Sequence, residues 1–477
     1  GSSGKITNRE NTLGAVTSDQ AFAYNYIRFH NGTEADVFNP TINMSVTHTF
    51  DTLTTLLFSA DYTNYTEDFS RLTTNHYYNN GDTEVLPVNQ FGTAIQNDFN
   101  IYTQKLDFTR TLKKAANIEA GFKSSFVDNG SNATVQLTDP ISGQLYVNDT
   151  FSNRYRYQEQ LLAAYFTLNK SYKKFDLKAG LRSEHTLINA RNLSKPFELH
   201  RNYINFFPSG SVDYKLNEKN SLQANYSYRI DRPSYDQLNP ALGYNDPFNR
   251  WSGNPLLKPQ YIHSTNVDYN YNHFITLTAA YQRTNNMIYY YSYGSPTSKI
   301  TIDTVFNYPH RNNASLSAFV QKQISWFSVN GYVAGMFRNF RGTVNGNTAN
   351  SETFQYYGNC TFEFTLPKQF KIQLQGFYSS GFKDGVQYYY PMGVANITVS
   401  KSIIDKKLDV SLSMFDVFYS ERQPYINEVG GQYVYYVERN DSRRIRLFVS
   451  WKFGKMKINQ NIKRSNEEEN NRLKQVN

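Results

Sequence analysis

The residues of this chain best suited to contact a ligand are aromatic and gather outside the regular segments. Tyr235, Tyr244, Phe248 and Trp251 fall within residues 229–259, a stretch rich in Pro, Gly and Asn. Aromatic faces beside Asn and Asp suit sugars or peptides. The same stretch also reads as a folded loop whose prolines fix its shape and whose aromatics are structural, and that reading is preferred. Tyr389 and Tyr435, in the clusters 388–390 and 433–436, form a second candidate binding face, against which an interfacial aromatic belt is the preferred reading. For catalysis the chain offers little. Its eight histidines, among them His48, His76, His185 and His263, lack the His-Glu-x-x-His spacing of a zinc protease. No Gly-x-Ser-x-Gly elbow or phosphate-cradling glycine loop stands between a strand and a helix. Cys360 is the single cysteine, which excludes an internal disulfide or a cysteine metal cluster. We therefore expect no catalytic residue, metal or cofactor. The net charge is +9, from 49 Lys and Arg against 40 Asp and Glu. These charges are scattered along the chain, so nucleic acid is not an expected partner.

The elements that must position these residues are strands. Residues 221–229 place Leu222, Ala224, Tyr226 and Tyr228 on one face and Gln223, Asn225, Ser227 and Arg229 on the other, a two-residue period. The pattern recurs in Phe175, Leu177, Ala179 and Leu181, in Leu408, Val410, Leu412 and Met414, and in Ile445, Leu447, Val449, Trp451 and Phe453. No run approaches the ~18 apolar residues of a membrane-spanning helix. Many segments reach the ~9 to 11 residues of a membrane-spanning strand, and the chain holds 39 Tyr and 34 Phe, as aromatic girdles require. A closed barrel is the all-β way to satisfy backbone groups in lipid. The fold expected is an antiparallel transmembrane β-barrel of outer-membrane type.

Link lengths agree. Short links fall near residues 51, 113, 172, 218, 273, 325, 367 and 405. Long ones alternate with them at 68–98, 128–153, 191–201, 230–261, 341–351, 381–390 and 419–441. This is the pattern of periplasmic turns and extracellular loops. Counting from a first strand near residue 41, about seventeen strands are visible, an odd number where bacterial barrels are normally even. Residues 1–40 are taken as an N-terminal segment, a loop or a fragment edge, 41–454 as the barrel and 455–477 as a polar, solvated periplasmic tail. The odd count implies strands missing at the N-terminal side.

Several motifs resemble the outer-membrane β-barrel family of Bacteroidetes, a branch of the TonB-dependent receptors. They are Arg229-Ile230-Asp231-Arg232-Pro233-Ser234-Tyr235, Leu238-Asn239-Pro240 and Gly253-Asn254-Pro255-Leu256-Leu257-Lys258-Pro259, preceded by Ala179-Gly180-Leu181-Arg182-Ser183-Glu184 and Phe206-Phe207-Pro208-Ser209, and followed by Phe415-Asp416-Val417-Phe418 and Trp451-Lys452-Phe453-Gly454. The resemblance implies a plugged barrel of about twenty-two strands that imports a scarce ligand (siderophore, oligosaccharide or peptide) with energy delivered by TonB. Its expected partners are outer-membrane lipid and lipopolysaccharide, a small polar ligand, and the TonB complex through an N-terminal region and a plug not in this chain. The alternative is a plugless passive pore or a surface-binding scaffold. Arg182 and Glu184 share a lumen-facing side and read either as an ion pair against a plug or as solvated charges.

Overall fold

The structure, a computed structural model, describes residues 2–15, 26–112, 115–244, 249–294, 300–344, 347–385, 387–404, 407–422, 424–429, 432–437, 441–453 and 465–473. The two-residue alternation folds into a 22-stranded sheet. It is antiparallel apart from a three-residue parallel ladder between Asn249–Ser252 and Thr301–Gln323. Three of its members, Leu145–Val147, Leu242–Tyr244 and Asn249–Ser252, are short loop ladders. Tyr26–Asn39 and Thr41–Asp51 continue across Pro40 along the same neighbour, Thr54–Tyr78. Among the described residues eighteen staves therefore form the wall.

Two of these runs correct the sequence reading. Ser2–Ala15 and Tyr26–Asn39 are paired strands along their whole length, so residues 1–40 are not merely an N-terminal segment and the wall does not open near residue 41. The alternation is faint there because one face of Tyr26–Asn39 carries Arg28, His30, Glu34 and Asp36, while only Ile27, Asn31 and Ala35 are buried on the other.

The strands also run far past membrane thickness. Thr54–Tyr78 has 25 residues and Asn89–Leu112 has 24. On the outer face of Thr54–Tyr78, Leu56, Phe58, Ala60 and Tyr62 give way to Asn64, Thr66, Asp68 and Ser70. The apolar half meets lipid and the polar half continues into water. Tyr62 packs on Tyr102 (ring centroids 4.9 Å apart), and Tyr102 on Phe126 (6.4 Å), a row of aromatics at the change. The long loops expected at 68–98, 191–201 and 341–351 are thus mostly strand. Polar alternation above the membrane carries no apolar signal to distinguish it from loop.

At the opposite rim the short links near residues 51, 172, 218, 273, 325 and 367 hold, and those at 113 and 405 lie outside the described residues. Tyr271 and Ile275 are joined through Asn272 and His273 at φ 51° and 53°, the left-handed sense of a tight hairpin turn. Among the described residues Ser2–Ala15 pairs only with Tyr26–Asn39 and the last stave, Arg444–Trp451, only with Leu408–Phe415, so each has one edge unpaired among them.

Candidate functional site in the lumen

The inner face of the wall is not open. After Asn220–Asp231 the chain turns inward at Pro233 into a short helix α1 (Tyr235–Leu238). Ser234 caps it reciprocally: the Gln237 amide donates to Ser234 Oγ (3.3 Å) and the Ser234 amide donates to Gln237 Oε1 (3.0 Å). Tyr235, Leu238 and Leu257 are buried against Phe99, Ile101, Val127, Tyr155, Tyr157, Ile188, Ala190 and Val305. Those wall residues are apolar on the lumen face because the infolded loop, not water, covers them. Gly253 lies so close beneath α1 that a Cβ would collide with the carbonyl oxygens of Asn239, Asp236 and Gln237. Asn239 donates to Ser131 (2.9 Å) and Asn254 to the Val305 carbonyl (3.0 Å), stitching the loop to two distant staves.

Beside the loop lies a second helix, α2 (Glu467–Leu473). Glu469, Arg472 and Leu473 are buried, and Asn466 is fully so. The expected solvated tail is therefore corrected over residues 465–473, which sit inside the lumen. Two of its three acids, Glu468 and Glu469, are drawn in by lumen cations, and Glu467 is exposed. Lys123 Nζ reaches Glu469 (2.9 Å) and Glu468 (3.3 Å), and Arg232 reaches Glu468 (3.0 Å) and Glu184 (2.7 Å). Arg182 contacts Glu184 at 2.5 Å, and Arg472 contacts Glu159 at 2.6 Å. Lys123, Arg182 and Arg232 with Glu184, Glu468 and Glu469 close one neutral network, beside which Arg472 and Glu159 form a neutral pair of their own. Asn466 donates to Thr63 (2.8 Å), and Ser465 bonds Asp61 and Thr103.

The electrostatics follow from this crowding. Burial pushes the Glu468 carboxyl up, but Lys123, Arg232, Arg182 and Arg472 together outweigh it and hold it at about 2. Burial opposes the charge of Arg472, and Glu159 with the rings of Tyr235 and Tyr157 more than restores it. Asp236 on α1 has no such partner among the described residues. Burial, helped by the charge of Glu67, lifts it to about 7.

A sequence profile described as "Outer membrane protein beta-barrel family" matches residues 48–452. The chain belongs to that family. No curated protein sequence matches this barrel. Among solved structures it is similar to the ferric-catecholate import receptor Fiu from E. coli K12, with TM-score 0.58 and 13% identity over 90% of this chain and 65% of that one. The chain thus spans about two thirds of that receptor's length. It is similar also to the ferric yersiniabactin uptake receptor FyuA of Yersinia pestis (TM-score 0.55, 12% identity, 94% and 74% covered) and to the copper transporter OprC (TM-score 0.56, 11% identity, 95% and 81% covered).

Within this outer-membrane barrel the six candidate ligand contacts separate. Tyr235 is only 2% exposed, at the heart of the lumen core, so it is not a surface contact: its neighbours are Phe99, Tyr157 and Arg472. Tyr244 pairs through its backbone with Arg250, Trp251 is half-buried in the same ladder, and Phe248 lies outside the described residues. Tyr389 and Tyr435 belong to a separate four-stranded sheet made from two loops, Phe382–Asp384 and Gln387–Tyr389 with Tyr425–Val429 and Gln432–Tyr436. There Tyr389 stacks on Phe382 (4.8 Å) and Tyr435, 60% exposed, meets Tyr390 edge-on (6.1 Å). The barrel's charged network was only half visible in sequence. Arg182 and Glu184 show themselves by parity, as do Lys123 and Glu159 once each stave's inner face is known. The spacing of Glu468 and Arg472, one helical turn apart, is the signal for α2.

Proposed function

We propose that this chain forms the barrel wall of an outer-membrane import receptor that moves a small polar ligand into the periplasm with energy delivered through TonB. The observation that carries this reading is the lumen: it is lined with paired charges and occupied by chain elements, as a gated passage needs and a passive pore does not. The similar solved structures named above are import or uptake receptors and a copper transporter, which favours a siderophore or metal chelate within the wider class of siderophores, oligosaccharides and peptides. The edges of the first and last staves, unpaired among the described residues, call for further strands, and a Bacteroidetes-type receptor would supply these together with a plug. The short-turn rim is then periplasmic and the long loops meet lipopolysaccharide and the medium. The small aromatic sheet around Tyr389 and Tyr435 favours a second reading, a surface-binding scaffold, in which capture at the loops is the whole function.

The two separate in cells. With the full gene present and then deleted, accumulation of a labelled siderophore, oligosaccharide and peptide panel is followed with and without a protonophore. Gene-dependent uptake abolished by the protonophore supports coupled import. Uptake indifferent to it indicates a passive pore, and surface binding without uptake indicates the scaffold.

A further inference from the structure

The two elements in the lumen are held by different forces. The infolded loop is anchored by Tyr235, Leu238, Ala241 and Leu257, all buried, so withdrawing it would expose apolar surface to water. The segment 465–473 reads Ser-Asn-Glu-Glu-Glu-Asn-Asn-Arg-Leu. Leu473, packed in the buried cluster around Tyr235, is its single apolar side chain, and its other anchors are ion pairs and hydrogen bonds that water can replace, together with the Arg472 guanidinium on the Tyr235 ring. Its charges also complement the site. The wall and loop at this level supply Lys123, Arg182 and Arg232 against Glu159 and Glu184, an excess of one positive charge. The segment brings Glu468 and Glu469 against Arg472, an excess of one negative charge among its ion-paired groups, while Glu467 adds a further negative charge at an exposed position. Beside this contact, the gap lined by Glu159, Arg232, Pro233 and Leu257 is only about 10 Å³, room for a single water at most.

We propose that residues 465–473 are a displaceable stopper, and that Lys123, Arg232 and Glu159 with Asp61 and Thr63 form its docking site. The segment closes the lumen beside the fixed loop. It is released when water or an arriving charged group takes over its ion pairs, the apolar contacts given up being those of Leu473 and of Arg472 on the Tyr235 ring. The proposal rests on the import reading only in taking the lumen as the path of the solute.

The test uses the full-length protein in native outer membranes with Cys360→Ser as background. Asn466 and Thr63 side chains are in hydrogen-bond contact, as are Ser465 and Thr103, so Thr63→Cys with Asn466→Cys, and Thr103→Cys with Ser465→Cys, should each cross-link on mild oxidation. Adding Lys123→Glu should lower the yield about tenfold, and adding Glu469→Lys to that should restore it. In planar bilayers the oxidised protein should stay closed, and reduction together with Glu468→Gln and Glu469→Gln should raise the open probability at least severalfold. Absence of cross-linking at both pairs, or yields indifferent to the charge reversal, would overturn the docking site. Equal conductance in the locked and released forms would overturn the stopper. Protonophore-insensitive uptake in the cellular assay would remove the import reading and leave these outcomes as they stand.

Discussion

The guanidinium of Arg472 lies over the ring of Tyr235, its central carbon 4.2 Å from the ring centroid, while its nitrogens reach Glu159 and the Pro233 carbonyl. One contact thus joins the C-terminal helix, the infolded loop and the wall. It also explains why a tyrosine that looked like a ligand contact is buried.

The first expectation concerns that ring. The Tyr235 hydroxyl is buried with no hydrogen-bond partner among the described residues, so the side chain acts through packing and its cationic neighbour. Tyr235→Phe should therefore change stability by less than about 1 kcal/mol, whereas Tyr235→Ala should cost about 3 to 5 kcal/mol. Urea unfolding in lipid vesicles measures both. Equal losses in the two variants would mean that the hydroxyl holds the loop.

Arg232 tests the ion network. It is 3% exposed at the side chain and bonds both Glu184 and Glu468. Arg232→Met leaves the buried Glu184 and the half-exposed Glu468 short of a partner and should cost about 3 to 5 kcal/mol. The wall pair Lys371 and Glu363 is largely exposed, and Lys371→Met should cost about 0 to 1 kcal/mol. The contrast, read in the same vesicles, disappears if the lumen is as wet as the outer surface.

How much of this was legible beforehand depends on where apolar patterning exists. Within the lipid belt, Leu222, Ala224, Tyr226 and Tyr228 alternate because one face must be apolar, and the staves there are where the alternation puts them. Above the belt both faces are polar, as at Asn64, Thr66 and Asp68, so strand and loop look alike and strand ends were placed too low. Tyr235 and Trp251 carry no mark that separates a ligand contact from a residue turned inward. The docking of Glu468 and Glu469 onto Lys123 joins positions more than 340 residues apart, and sequence spacing holds no trace of such a pairing.

Asp236 makes the loop sensitive to pH. In the unfolded chain its carboxyl loses its proton near 3.8, but in the seated loop it keeps it to about 7. The folded state therefore binds the extra proton between these values, and stability falls as pH rises. The loop should be held most firmly below about pH 4, weaken steadily toward pH 7 and change little beyond. The full span is on the order of 4 kcal/mol. Hydrogen exchange of residues 232–259 across that range should show protection lost on the alkaline side. Asp236→Asn should flatten the profile, and a profile that persists in the variant would assign the dependence to another group.

The last prediction orients the barrel in the membrane. Short turns such as the one at Asn272 and His273 lie on one rim, while loops such as that around Ile141, which is 95% exposed, lie on the other. Outer-membrane barrels keep short turns on the periplasmic side and long loops outside. The polar outer faces at Asn64 to Ser70, on the loop side of the aromatic row Tyr62, Tyr102 and Phe126, suit the lipopolysaccharide headgroup region rather than acyl chains. In a Cys360→Ser background, a membrane-impermeant maleimide added to intact cells should label Ile141→Cys fully and His273→Cys only after the outer membrane is breached. His273→Cys labelled on intact cells, with Ile141→Cys protected, would place the short turns outside and reverse the direction in which the stopper faces the solute.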